Sequence, residues 1–285
     1  MSRIAVLMPV FNEERTIRKS LTSVVEQSKR PTIVLIGDNE STDTTASTAK
    51  EILEKSGIDY RILKVRRYPE LGKLNINNVL YELSKYMIKE ITASFDYIAV
   101  IEADVVLERQ YFEKLTKIFE SCNKLCIAGG ILKPFGLPKE PFPLTRINAN
   151  LWGCNRVYRA ECWFKLNKKY DIKLLPAWDT DHVVLALHEG YHVYPVKNAT
   201  SVTLRGINPF KGYPKGFTDA LHGLPLWWAL YKTIQHRDLK YLASYTASKI
   251  TRKDLAEKIS PLKAVYKYSA YRVLLSKVLS YKPPT

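Results

Sequence analysis

The run Tyr97-Ile98-Ala99-Val100-Ile101 constrains the fold of this chain more than any other stretch, because two acids, Glu102 and Asp104, follow it at once. An unbroken apolar, β-branched run of this length is the pattern of a strand buried on both faces in a mostly parallel sheet. Carboxylates at the end of such a strand repel one another and are costly to desolvate. Two readings stay open from these residues alone. The acids lie on a solvated strand-to-loop turn, or they face a ligand at the carboxyl ends of the strands, where open α/β sheets bind ligands. In the second case a divalent cation would resolve the repulsion, since Mg²⁺ or Mn²⁺ is commonly held by one or two carboxylates plus substrate phosphates.

The rest of the N-terminal half supplies the remainder of such a sheet. Ile4–Pro9, Thr32–Ile36 and the stretch from Tyr60 to Val65 read as further strands. Between the first two, Ile17, Leu21, Val24 and Val25 recur at helical spacing, with Asn12 as the expected N-cap. A second helix is expected up to about Lys55, and a third from near Lys73 to about Ile91. Strand and helix alternate, which argues for parallel strands joined by right-handed crossovers. Farther on, Leu107 to Ser121 is expected to be helical and Leu125 to Gly130 a short strand. Prolines 134, 138, 141 and 143 break the regularity, the composition of a loop or lid. The stretch Trp152–Ala160 is read as leading into a helix, and an apolar helix from Val183 to His188 precedes a strand at Tyr191–Pro195. Asp179 and Asp181 stand at that helix's N-terminus, where complementing its dipole is a sufficient structural reason for both.

Charge bears on partners. The net charge is +16, and from Arg205 onward 15 basic residues face four acids, leaving +11 in that segment. An anionic partner is the physical counterpart of such a tail: nucleic acid, phospholipid or a phosphorylated substrate. The segment His222–Lys232 is apolar and aromatic but too short to span a bilayer. Trp227 and Trp228 are expected to pack inward and the basic face to meet a membrane surface. The N-terminal run, punctuated by Pro9 and Asn12, reads as a first strand rather than a signal peptide, so the expected location is cytoplasmic, peripheral at the membrane. The four cysteines lack zinc or Cys-x-x-Cys spacing and are expected to be buried reduced thiols.

The order of the motifs carries a resemblance. Pro9-Val10-Phe11-Asn12-Glu13 is followed by Asp38-x-x-Ser41-x-Asp43, Gly72-Lys73, Glu102-x-Asp104, Gly153 with Arg159-Ala160, and Trp178-Asp179-x-Asp181. This series resembles the inverting nucleotide-sugar glycosyltransferases of family 2, over roughly residues 3 to 200. The resemblance implies a GT-A type α/β fold: a mostly parallel central sheet with helices on both faces, and a basic, mainly helical C-terminal region. It divides the chain into a catalytic domain at 1–205 and a basic aromatic region at 206–285, the latter contacting the acceptor or a membrane surface.

By the same resemblance Pro9, Asn12, Glu13, Asp38 and Lys73 would line the nucleotide pocket, together with Glu102, Ala103 and Asp104. Asp104, with Glu102, would hold Mg²⁺ or Mn²⁺ against the diphosphate. Asp179 would be the catalytic base, with Asp181 beside it. The implied reaction moves a hexose from a UDP- or GDP-sugar to a glycan or lipid-phosphate acceptor. The sequence departs from the pattern in three places. Glu102 stands for the usual first Asp, Trp178 for the Glu before the base, and Ser201-Val202-Thr203-Leu204 lacks the His many members use to help hold the metal. A nucleic-acid-binding protein working through its basic tail is the alternative class. The ordered acidic motifs disfavour it, because a binder of phosphate backbones has no use for them.

Overall fold

A computed structural model describes residues 2–69, 75–91, 94–134, 153–175, 177–205, 220, 226–236 and 239–251. The elements run β1 (Ile4–Val10), α1 (Ile17–Val25), β2 (Ile33–Asp38), α2 (Thr45–Ser56), β3 (Asp59–Lys64), α3 (Asn75–Glu90), β4 (Tyr97–Ile101), β5 (Val105–Leu107), α4 (Tyr111–Ser121), β6 (Leu125–Pro134), β7 (Asn155–Arg159), α5 (Ala160–Lys169), α6 (Trp178–His188), β8 (His192–Thr203), α7 (Leu226–His236) and α8 (Leu239–Thr251). They fall into two compact units, Met1–Lys173 with Glu189–Ile207, and Leu174–His188 with Asn208–Thr285.

The first unit contains the whole sheet, in the order β3-β2-β1-β4-β7-β6-β8-β5. Strands β1 to β4 are mutually parallel, with Val10 opposite Asp38 and Leu7 between Leu35 and Val100. Their carboxyl ends therefore open on one edge, as the alternation of strand and helix requires. Alternate residues of β1 show why both faces are apolar. Ile4, Val6 and Met8 join a core with Ile17, Leu21, Ala49 and Leu53 of α1 and α2. Ala5 and Leu7, equally buried, point to the other face. There α3 lies so close that a Cβ on Gly37 would fall 2.2 Å from Val79, so only glycine fits. Trp163 of α5 donates to the Ser84 hydroxyl of α3 on the same unit, at 3.1 Å.

Beyond β4 the parallel pattern gives way, and in three places the structure adds strand that the sequence did not show. Val105-Val106-Leu107, of which Leu107 was expected to begin a helix, forms β5, antiparallel to the end of β8. The stretch expected to lead into a helix does so, but as the strand β7, antiparallel to both β4 and β6. The strand expected at Tyr191–Pro195 runs on to Thr203. All three are cross-strand pairings between segments far apart in sequence, which local periodicity cannot report. A buried tyrosine ties this half together. The Tyr111 hydroxyl accepts the Gly130 N–H at 2.6 Å and donates to the Asn155 carbonyl at 2.5 Å. Burial pushes its phenol well above the ordinary tyrosine value. Asn12 is not the cap of α1, which begins after Thr16. Cys126 of β6 and Cys162 of α5 form a disulfide, with Cα atoms 5.6 Å apart, where reduced thiols were expected. A separation of 36 residues carries no sequence signal for that pairing. The proline-rich stretch, except Pro134, lies outside the described residues.

In the second unit, Ala229 of α7 and Tyr241 and Tyr245 of α8 make a small buried cluster. Leu226, Leu230 and Ile234, on another face of α7, are exposed. Trp227, expected to pack inward, is also half exposed, and the side chain of Trp228 lies outside the described residues. Among the described residues no helix is long and apolar enough to cross a membrane.

Candidate active site

The loops leaving β1, β2 and β4 meet at the carboxyl edge of the sheet. Asn12 adopts a left-handed conformation, φ 52°, which asparagine tolerates better than most residues. Its backbone N–H reaches the Ser41 hydroxyl at 3.0 Å, and its side-chain carbonyl accepts the Thr42 N–H at 2.8 Å. Asp38, at the end of β2, is buried and accepts the Ser41 N–H at 3.0 Å. The β1 and β2 loops are thus fastened to each other by the residues that resemblance assigned to the nucleotide. Asp43 completes the fastening, accepting from the Thr45 N–H and the Glu14 N–H. Burial alone would raise its carboxyl, but the Thr45 hydroxyl and those N–H donors hold it below the usual range. Arg67 stacks 3.6 Å over the Phe11 ring and donates to the Asn39 side chain at 3.2 Å, joining the same two loops.

The acidic pair follows β4. Ala103 is buried, and its neighbour Asp104 is only 8% exposed, while Glu102 is half-buried. The turn is fixed by its backbone. The Glu102 carbonyl accepts from Ser20 and from the Val105 N–H, and the Asp104 carbonyl accepts the Leu204 N–H at 2.8 Å. That last bond brings the end of β8 against the acids. Thr203 donates its hydroxyl to the Asp104 carboxylate at 3.4 Å. Arg205 forms an ion pair with Glu13 and places its Nε 3.8 Å from the Asp104 carboxylate. Burial would lower the Arg205 pKa, but Glu13, Asp104 and Glu102 together raise it above its ordinary value. The solvated-turn alternative for Glu-x-Asp does not describe a carboxylate this buried and this engaged.

A cleft of about 620 Å³ opens beside these groups, lined by Asn12, Glu13, Thr16, Asp43, Leu204 and Arg205 among others. A larger groove of about 940 Å³ lies along α1 and α2. Its lining includes none of Asn12, Glu13 and Arg205, and there Glu51 pairs with both Arg18 and Lys55. The smaller cleft is the one lined by Glu13 and by Arg205, whose guanidinium also lies near Asp104.

The structure brings Pro9, Asn12, Glu13, Asp38, Glu102, Ala103 and Asp104 into one unit. Lys73 lies outside the described residues. Asp179 and Asp181 belong to the second unit and differ sharply there. Asp181 is fully buried, and its carboxylate accepts the Ala177 N–H at 2.9 Å, satisfying a helix-start donor. Asp179 is half-buried, and its carboxylate accepts the Thr180 N–H at 2.8 Å. Sequence reasoning missed Arg205 and Thr203. No local signal marks them: Thr203 ends β8, and Arg205 lies two residues beyond it in a segment rich in basic residues.

Comparison with known proteins gives this arrangement its relatives. The family model described as glycosyl transferase family 2 matches residues 5–178. Glycosyltransferase GlyA of Streptococcus pneumoniae serotype 4 (strain ATCC BAA-334 / TIGR4) is 27% identical over 115 residues, which is 40% of this chain and 15% of that protein. The chain thus spans a small part of that relative's length. Two solved structures share the fold at low identity. One is the mannosyltransferase PcManGT from Pyrobaculum calidifontis in complex with GDP-Man and Mn²⁺, with TM-score 0.54, 15% identity, and coverage of 96% of this chain and 80% of that one. The other is S. aureus TarS 1–349 in complex with UDP-GlcNAc, with TM-score 0.51, 16% identity, and coverage of 77% and 66%.

Proposed function

The chain belongs to glycosyl transferase family 2, and from that premise we propose that it transfers a hexose, with inversion, from a UDP- or GDP-sugar to a glycan or lipid-linked acceptor. The observation that carries this reading is Asp104, a buried carboxylate at the carboxyl edge of a parallel sheet, close to Arg205, which with Glu13 lines a cleft. The donor set suits Mg²⁺ or Mn²⁺: hard carboxylate oxygens from Asp104 and Glu102, too few to complete a shell without substrate phosphates. Such an ion, when bound, would act as a Lewis acid on the leaving diphosphate. The chain's own residues do the rest. Asp38 accepts from the nucleobase, the loop of Asn12 and Glu13 positions the ribose and phosphates, and Asp179 removes the proton from the acceptor hydroxyl. A base opposite the leaving group gives in-line attack, and hence inversion. Residues 1–205 would supply the nucleotide-sugar and catalytic machinery, and 206–285 the acceptor or membrane-surface contact. Incubation with a panel of UDP- and GDP-sugars plus Mn²⁺ is expected to release free sugar from one donor, of opposite anomeric configuration by proton NMR, with EDTA stopping it. Retention of configuration, or equal release in EDTA, would contradict the reading.

The exposed side chains of α7 support a peripheral membrane role. Leu226, Leu230 and Ile234 recur every fourth residue, with Trp227 beside them, on an 11-residue helix. Apolar groups on a short helix within a basic segment suit the interfacial layer of an anionic bilayer. Full-length protein is expected to pellet with phosphatidylserine liposomes at low salt, and Trp227→Ser with Ile234→Ser to reduce pelleting several-fold. Equal pelleting of both proteins would remove the membrane from the account.

A further inference from the structure

We propose that Arg205 is a resident counter-ion: in the nucleotide-free protein its guanidinium stands where a divalent cation would bind, so the cation enters only by displacing it. The proposal rests on the reading of Asp104 and Glu102 as cation-holding carboxylates. Its geometry is that of a bridge. One end of the guanidinium pairs with Glu13, and Nε lies 3.8 Å from Asp104, so a single cation is shared by acids from two different loops. Glu102 adds its charge to the same group. Three carboxylates gathered at one edge would repel each other if nothing cationic stood among them.

The bridge is also built to move. Its backbone is held, because Arg205 N–H donates to the Thr203 hydroxyl at 3.3 Å and the neighbouring Leu204 N–H to Asp104. Its side chain is 56% exposed, against 11% for Asp104. A fixed backbone with an exposed, long side chain lets the guanidinium leave while the carboxylates stay. Two cations on one carboxylate repel, so a metal ion at Asp104 expels Arg205. The displaced fork then has an anion to meet, since guanidinium donors match phosphate oxygens in pairs. The consequence is linkage: the cation binds poorly alone and well with the nucleotide, because only the nucleotide gives Arg205 a second partner.

The test is a titration of Mn²⁺ into the full-length protein, followed by the electron paramagnetic resonance of the free ion, without and with UDP or GDP. Wild type is compared with Arg205→Gln, Arg205→Lys and Asp104→Asn, each first checked by melting temperature. Removing the competing charge should tighten nucleotide-free Mn²⁺ binding about tenfold in Arg205→Gln, and weaken the Mn²⁺–nucleotide complex by about as much, the scale of one charge-assisted pair. Arg205→Lys keeps the charge and should keep Mn²⁺ binding weak. A purely structural Arg205 would not move the two affinities in opposite directions. If Asp104→Asn loses Mn²⁺ binding while Arg205→Gln binds Mn²⁺ no tighter than wild type, the displacement idea fails and the cation site stands. If Asp104→Asn binds Mn²⁺ as wild type does, the cation site itself is misplaced, and the proposal falls with it.

Discussion

Asp179→Asn is expected to abolish sugar transfer while leaving nucleotide affinity and melting temperature nearly unchanged. A positioned general base contributes about 10²–10⁴-fold to rate, and asparagine cannot take up a proton at neutral pH. The structural cost of the change is small. Asp179 is half-buried, and the bond its carboxylate accepts from the Thr180 N–H at 2.8 Å survives in the amide through its carbonyl oxygen. Asp181 provides the control two residues away. It is fully buried, and its carboxylate accepts the Ala177 N–H at 2.9 Å at the start of α6. Weakening a charged acceptor there should cost about 1–3 kcal/mol of stability, with a smaller loss of activity. Single-turnover rates measured beside nucleotide affinity separate the two. If Asp181→Asn is the dead enzyme and Asp179→Asn keeps substantial turnover, the base has been assigned to the wrong carboxylate.

How much of this was legible in the sequence follows from which interactions are local. Strands β1 to β4 and helices α1 to α3 were readable because apolar runs and helical spacing are written into contiguous residues, and because short crossovers make sequential strands neighbours. The antiparallel half was not. β5 is three residues long and exists because it pairs with Ser201–Thr203, almost a hundred positions later. Its own sequence, Val105-Val106-Leu107, suits a strand or a helix start equally. The Cys126–Cys162 bond is hidden for the same reason, since it depends on β7 lying against β6 and bringing α5 with it. The acids of the site were found because carboxylates beside a buried strand are conspicuous. Arg205 was not, because one basic residue in a segment with 15 is invisible until its partners Glu13 and Asp104 are seen together.

The second large effect is expected from Asp104→Asn, which should lower Mn²⁺-dependent affinity for nucleoside diphosphate by about a hundredfold, roughly 2.7 kcal/mol. The amide preserves shape and can still accept from Thr203, so the loss isolates the charge. That charge is buried and placed at the end of β4, where it can act on a cation with little screening by solvent. Glu102 alone, half-buried and one methylene longer than aspartate, is a poor substitute as the principal ligand. The measurement is calorimetry of UDP and of GDP binding to wild type and Asp104→Asn, each in Mn²⁺ and in EDTA. Wild type should bind one of the two nucleotides tightly in Mn²⁺ and weakly in EDTA, and Asp104→Asn should bind it weakly in both. The same Mn²⁺-dependent affinity in both proteins would show that the carboxylate beside β4 holds no cation and that the nucleotide site lies elsewhere.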